Sequence, residues 1–95
     1  MNQSNEVQKI KEENNYIIVD VRTPEEYQEG HLANSINIPY DTIDENVNLD
    51  KNKTILVYCK SGIRSKNAYD NLTNLGYKVY DLGAYEKITE FEKVR

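Results

Sequence analysis

The residues best able to do chemistry lie together in Cys59-Lys60-Ser61-Gly62-Ile63-Arg64-Ser65. A thiol is followed at once by a glycine-containing cationic segment, with Lys60, Arg64 and Lys66 basic and no acid between Cys59 and Lys66. Electropositive surroundings favour the thiolate, the nucleophilic form of cysteine. The segment leaves an apolar run and enters a helical pattern. Its backbone is therefore able to curl until several N–H groups face one point, a nest for anions reinforced by the positive end of the following helix. The bland alternative is a buried structural cysteine. It loses ground because Cys59 stands at the end of a strand pattern, before the cationic loop, rather than inside the pattern. Gly62 suits a turn, and its missing side chain also lets backbone approach a ligand.

The elements that must position this loop follow from pattern. Thr54-Ile55-Leu56-Val57-Tyr58 and Tyr16-Ile17-Ile18-Val19-Asp20-Val21 are nearly continuous β-branched or apolar runs, as in strands buried on both faces of a parallel sheet. Thr23-Pro24-Glu25-Glu26 opens a short helix with an N-cap threonine, proline at the first helical position and glutamate three residues after the cap; it ends at Gly30. Ser35 to Ile38 alternates as a short strand stopped by Pro39, and Tyr40 to Leu49 reads as one helical turn followed by loop. From Ser65 the period changes, with Ala68, Leu72 and Leu75 on one helix face and Gly76 just past its end. Tyr77 to Tyr80 is another short strand, and Tyr85 to Val94, with Ile88 and Phe91, reads as a final amphipathic helix. Val7 and Ile10 give Ser4 to Glu13 the look of a short amphipathic helix. Alternation of strands and helices implies an α/β fold: a small central parallel sheet flanked by helices on both faces. Ligands of such sheets bind beyond the carboxyl ends of the strands, where Cys59 sits.

Composition bounds what this chemistry serves. The 95 residues are 38% hydrophobic and 29% charged and carry a formal charge of -4, from 12 basic and 16 acidic side chains. One domain over 1–95 is expected, with 1–15 as a short N-terminal helix or extension and a core over about 16–91. A lone cysteine forms no internal disulfide, which points to a reducing, cytoplasmic setting. Met1 to Asn15 lacks the apolar stretch of an export signal, and no run is long enough to cross a bilayer, so no membrane role is expected. An acidic balance leaves no overall field for nucleic acid. One cysteine and one histidine fall short of a structural zinc set.

With these motifs in view, the chain resembles the single-domain rhodaneses, or thiosulfate sulfurtransferases. Cys59-Lys60-Ser61-Gly62-Ile63-Arg64-Ser65 is similar to the family's Cys-x-x-Gly-x-Arg-Ser loop. Ile18-Val19-Asp20-Val21-Arg22 with Glu25-Glu26-Tyr27, and Gly30-His31-Leu32 leading to Ile36-Asn37-Ile38-Pro39, are similar to its upstream signatures. The likeness covers about Tyr16 to Phe91. It departs at Asn34-Ser35, where the family often has Gly-Ala, and at Leu82-Gly83-Ala84-Tyr85, where it has Leu-x-Gly-Gly; asparagine tolerates the left-handed backbone that the first site needs.

The resemblance implies sulfur transfer through a Cys59 persulfide, from thiosulfate or polysulfide to cyanide or a thiol, including a protein thiol, by a monomer with no metal or organic cofactor. It also implies that the amides of Lys60, Ser61, Gly62, Ile63, Arg64 and Ser65 hold the transferred sulfur, while Arg64 and Lys60 grip the donor's oxyanion end. A cysteine-dependent phosphatase or arsenate reductase is the competing enzyme, but phosphatase loops place five residues between cysteine and arginine and this loop places four. A sulfur carrier or binding module without turnover is the competing non-enzyme.

Four further features have plain readings. His31 is expected as a hydrogen-bonded structural residue, and Asp20 and Arg22 as ties between loops. The eight tyrosines are expected half-buried with wet hydroxyls. Glu25, Glu26 and Glu29 read as a solvated helix face.

Overall fold

β-Branched residues suit a pleated surface buried on both sides, and the two runs richest in them become the interior strands of the sheet. The computed structural model describes residues 3–95; Met1 and Asn2, at the start of the expected N-terminal extension, lie outside the described residues. The chain runs through α1 (Gln3–Glu13), β1 (Tyr16–Asp20), α2 (Pro24–Glu29), β2 (His31–Leu32), β3 (Ile36–Asn37) and a 3-10 turn over Tyr40–Thr42. It continues through β4 (Thr54–Cys59), α3 (Ile63–Asn74), β5 (Lys78–Ala84), a second 3-10 turn over Tyr85–Lys87 and β6 (Lys93–Val94). The main sheet has the order β3-β1-β4-β5 and every pairing in it is parallel.

Side chains alternate across a strand, and β4 shows what this does. Ile55, Val57 and Cys59 face one core with Ala68 and Leu72 of α3, Val19 and Tyr77. Leu56 and Tyr58 face the other with Val7 of α1, Ile18, Leu32, Leu82 and Ile88. All six residues of β4 are buried. Helices thus cover both faces, as the alternation of elements implied, and each face has its own core.

α2 begins as its sequence predicts. Thr23 Oγ1 accepts from the Glu26 N–H at 3.2 Å, and Glu26 Oε1 accepts from the Thr23 N–H at 3.0 Å, a reciprocal capping box. α3 starts two residues before Ser65, because Gly62 takes a φ of +100° and turns the chain directly from the loop into the helix. Asn34 adopts a φ of +65°, the left-handed backbone anticipated for it. The strand read over Tyr77 to Tyr80 runs instead over Lys78–Ala84, with an irregularity opposite Val57 and Tyr58.

The helix expected over Tyr85 to Val94 does not form. After the 3-10 turn this segment crosses the α1 face of the sheet as irregular chain, and β6 pairs antiparallel with β2, His31 opposite Val94 and Leu32 opposite Lys93. Ile88 is buried and Phe91 packs edge-on against Tyr16 at 5.7 Å. Backbone groups that a helix would have paired instead bond to β2 and its neighbour, Ala33 N–H donating to Glu92 O at 2.8 Å. Tertiary partners thus supply both the burial and the hydrogen bonds, leaving the helical alternative no advantage.

Candidate active site

Cys59 is the last residue of β4, at the carboxyl edge of the sheet, with β1 on one side of its strand and β5 on the other. Its side chain is fully buried, 0% exposed. Burial alone would make it a structural thiol, but two backbone donors converge on the sulfur. Gly62 N–H donates to Sγ at 3.0 Å and Ser65 N–H at 3.2 Å. These amides belong to the start of α3, so the positive end of that helix faces the sulfur as well. The arrangement stabilises a negatively charged sulfur without any side-chain base.

The loop residues take different stations. Lys60 and Ser61 are exposed, and Lys60 has no ion-pair partner among the described residues. Gly62 is half-buried, and an added Cβ there would meet nothing within 4 Å, so its glycine is required by backbone conformation rather than by space. Ile63 is 71% exposed. Ser65 is buried and its hydroxyl donates to Gly62 O at 3.2 Å, bracing the turn that aims both amides.

Arg64 is engaged with α2. Its guanidinium makes a fork on the Glu26 carboxylate, Nη1 to Oε1 at 2.8 Å and Nη2 to Oε2 at 3.0 Å, tying the loop to α2. The Arg64 hydrogen bonds lower the Glu26 carboxyl from 4.5 to about 2, against a smaller opposing effect of burial. Glu26 in turn raises the Arg64 guanidinium above its usual value. Lys66 pairs with Asp70 at 3.1 Å across one helix turn. Of the three cations in the segment, Lys60 alone stays uncommitted, so the site is less cationic than its sequence. Glu26 also departs from the solvated helix face expected of Glu25, Glu26 and Glu29. Its partner lies 38 residues away in sequence. The capping position of Glu26 was legible beforehand, whereas the pairing carries no local signal.

The residues behind the site tie neighbouring loops, as read for Asp20 and Arg22. Arg22 Nε and Nη2 donate to the fully buried Asp20 carboxylate at 3.0 and 2.6 Å, and Nη2 also donates to Gly30 O at 2.6 Å. The guanidinium lies over the Tyr85 ring at 4.4 Å and the Tyr58 ring at 5.5 Å. Burial works against its charge, and the Asp20 hydrogen bonds and charge outweigh that, holding its pKa above the usual value. Asn37 Nδ2 donates to the carbonyls of Asp20 and Arg22 at 2.9 and 3.0 Å. His31 Nδ1 is 2.7 Å from Tyr27 O, and its ring stacks on Tyr27 at 3.8 Å. Tyr58 breaks the rule of wet hydroxyls: it is fully buried, accepts from Leu32 N–H at 3.0 Å, and burial pushes its phenol well above the usual range. Ala84 stands beside Cys59 in register across β4 and β5.

Comparison with known proteins agrees with this geometry. The family model for the rhodanese-like domain matches residues 3–90. The thiosulfate sulfurtransferase PspE of Escherichia coli (strain K12) is 42% identical over 62 residues, covering 62% of this chain and 60% of that protein. The putative mitochondrial thiosulfate sulfurtransferase of Schizosaccharomyces pombe (strain 972 / ATCC 24843) is 35% identical over 83 residues, covering 73% and 57% respectively. The thiosulfate sulfurtransferase GlpE of Coxiella burnetii (strain RSA 331 / Henzerling II) is 38% identical over 73 residues, 74% of this chain and 68% of that protein. The chain thus spans somewhat under two thirds of the length of the first two relatives. Among solved structures, a rhodanese with anions from E. coli superposes with a TM-score of 0.74 at 35% identity, covering 84% of this chain and 98% of that one. A parallel sheet in the order β3-β1-β4-β5, the loop closing on Cys59, and a family match from residue 3 to residue 90 agree on one assignment: this chain belongs to the rhodanese-like domain family.

Proposed function

We propose that the chain is a thiosulfate sulfurtransferase that carries sulfur on Cys59. The observation behind this reading is the pair of backbone N–H groups, from Gly62 and Ser65, directed at Sγ. They stabilise the thiolate before attack and the same sulfur when it leaves. In the first step the Cys59 thiolate attacks the outer sulfur of thiosulfate; the new S–S bond forms as the old one breaks, and sulfite departs with the bonding pair. In the second, cyanide or a thiolate attacks the outer sulfur of the persulfide and Cys59 leaves as thiolate, a ping-pong cycle in which no net electrons are gained or lost.

Beside the oxyanion grip expected of it, Arg64 has a structural part. Committed to Glu26, it fixes the loop against α2, and Lys60 is the side chain left to draw the donor's sulfonate end. The remaining loop amides, from Lys60, Ser61, Ile63 and Arg64, are available to the outer sulfur once it is in place. A monomer in a reducing cytoplasm fits a chain whose one cysteine has no partner for an internal disulfide. Among the described residues no helix is long and apolar enough to cross a membrane.

Incubation with thiosulfate, removal of excess donor and intact-mass measurement test the reading. Wild type gains one sulfur, about 32 Da, and Cys59→Ser gains none, as covalent catalysis requires. An unmodified wild type after thiosulfate and polysulfide would overturn it.

A further inference from the structure

A guanidinium is the side chain best shaped for oxyanions, because its terminal nitrogens present parallel N–H donors that fit two oxygens of a sulfate or phosphate. Arg64 turns both of them to Glu26, Nη1 to Oε1 at 2.8 Å and Nη2 to Oε2 at 3.0 Å. The carboxylate is itself fixed, since Oε1 also accepts from the Thr23 N–H at 3.0 Å and from Thr23 Oγ1 at 3.2 Å. Lowered to about 2, the Glu26 carboxyl stays ionised across the neutral range, so the fork stays filled there. Yet the guanidinium remains within electrostatic reach of the sulfur. The Glu26 hydrogen bonds raise its pKa most, burial works against them, and the charges of Glu26, Cys59 and Tyr40 add to the rise. The pair is only partly covered, its side chains 24% and 25% exposed, so an anion arriving at the loop meets it from solvent.

We propose that Glu26 is a specificity-determining residue: by filling the Arg64 fork it keeps tetrahedral oxyanions that carry no transferable sulfur, phosphate and sulfate, from occupying the Cys59 loop. The proposal rests on the sulfurtransferase reading and adds to it what the site rejects. Thiosulfate enters with its outer sulfur towards Sγ, and its sulfonate end stays outside beside the exposed Lys60. Phosphate has no sulfur to offer and competes only by seating its oxygens in the loop, where a free guanidinium is its strongest partner. A filled fork therefore weakens the inert anion more than the donor. The selecting residue lies on α2, 38 residues from Arg64 in sequence, rather than in the loop that does the chemistry.

Full-length protein is loaded from thiosulfate at neutral pH in sodium chloride or in inorganic phosphate of equal ionic strength, and the gain of sulfur is followed by intact mass. Wild type loads at the same rate in both salts. Glu26→Gln frees the fork, and phosphate then slows loading about fivefold relative to chloride, the scale of one partly exposed charge contact. Glu26→Gln combined with Arg64→Gln replaces the ion pair by two amides and restores equal rates, which ties the effect to the guanidinium. Glu29→Gln, the same charge change at an exposed position of α2, keeps the wild-type behaviour. Should Glu26→Gln fail to fold, the wild-type comparison decides, because phosphate that slows wild type beyond chloride overturns the assignment without any variant. A folded Glu26→Gln that loads equally in both salts, or that no longer loads at all, overturns the selectivity assignment alone. Wild type that never loads sulfur overturns the sulfurtransferase reading and this inference with it.

Discussion

A single carboxylate, Glu26, does two jobs at the residue scale: it closes the capping box of α2 and holds Arg64 of the loop. Its folded pKa, about 2, lies below the ordinary value of 4.5. A lowered folded value means that the pair's stabilisation is fully present above about 4.5 and is lost as pH falls towards about 2. Glu26→Gln keeps an oxygen for the Thr23 N–H but removes the charge. Its stability relative to wild type falls by about 1 kcal/mol at neutral pH, a figure limited by solvent screening of a partly exposed pair. That difference vanishes near the folded pKa, and denaturant midpoints of the two proteins across the acid range measure it. The motif alone places Cys59 and Gly62 in one loop, because both depend on local backbone. Glu26 was visible only as a cap, since ion pairing between distant segments leaves no trace in local spacing.

Elements with strong local cues formed where the cues lie. α2 carries threonine, proline and glutamate in the order a helix start demands, and β1 and β4 are too rich in β-branched residues to be anything but strand. Elements whose identity depends on a distant partner were not legible: β2 and β6 are two residues each and exist because they pair with each other. The spacing of Ile88 and Phe91 satisfies a helical pattern by coincidence, each finding its own contact on the sheet. Thr23→Ala tests the local side of this contrast, since it removes both the acceptor for the Glu26 N–H and the hydroxyl that donates to the Glu26 carboxylate at 3.2 Å. The loss is about 1 kcal/mol, or a melting temperature lowered by about 4–8 °C for a domain of this size. Calorimetry reads it.

At the scale of the whole molecule, two cores on opposite faces of one sheet support the site from both sides. Leu72 of α3 is fully buried in the same core as Cys59, and Leu72→Ala opens a cavity there at a cost of about 3 kcal/mol, a large share of the roughly 5–15 kcal/mol that holds a typical domain. Urea unfolding at constant m-value measures that loss. The place of β4 between β1 and β5 carries a consequence for how the molecule comes into being. Parallel neighbours are reached only through crossover connections, and such non-local pairings form slowly because loop closure precedes their reward. Cys59 stands at the end of the strand that waits for both neighbours, so its seat is completed only when the sheet is, and a partly folded chain lacks the setting in which the Gly62 and Ser65 amides meet Sγ.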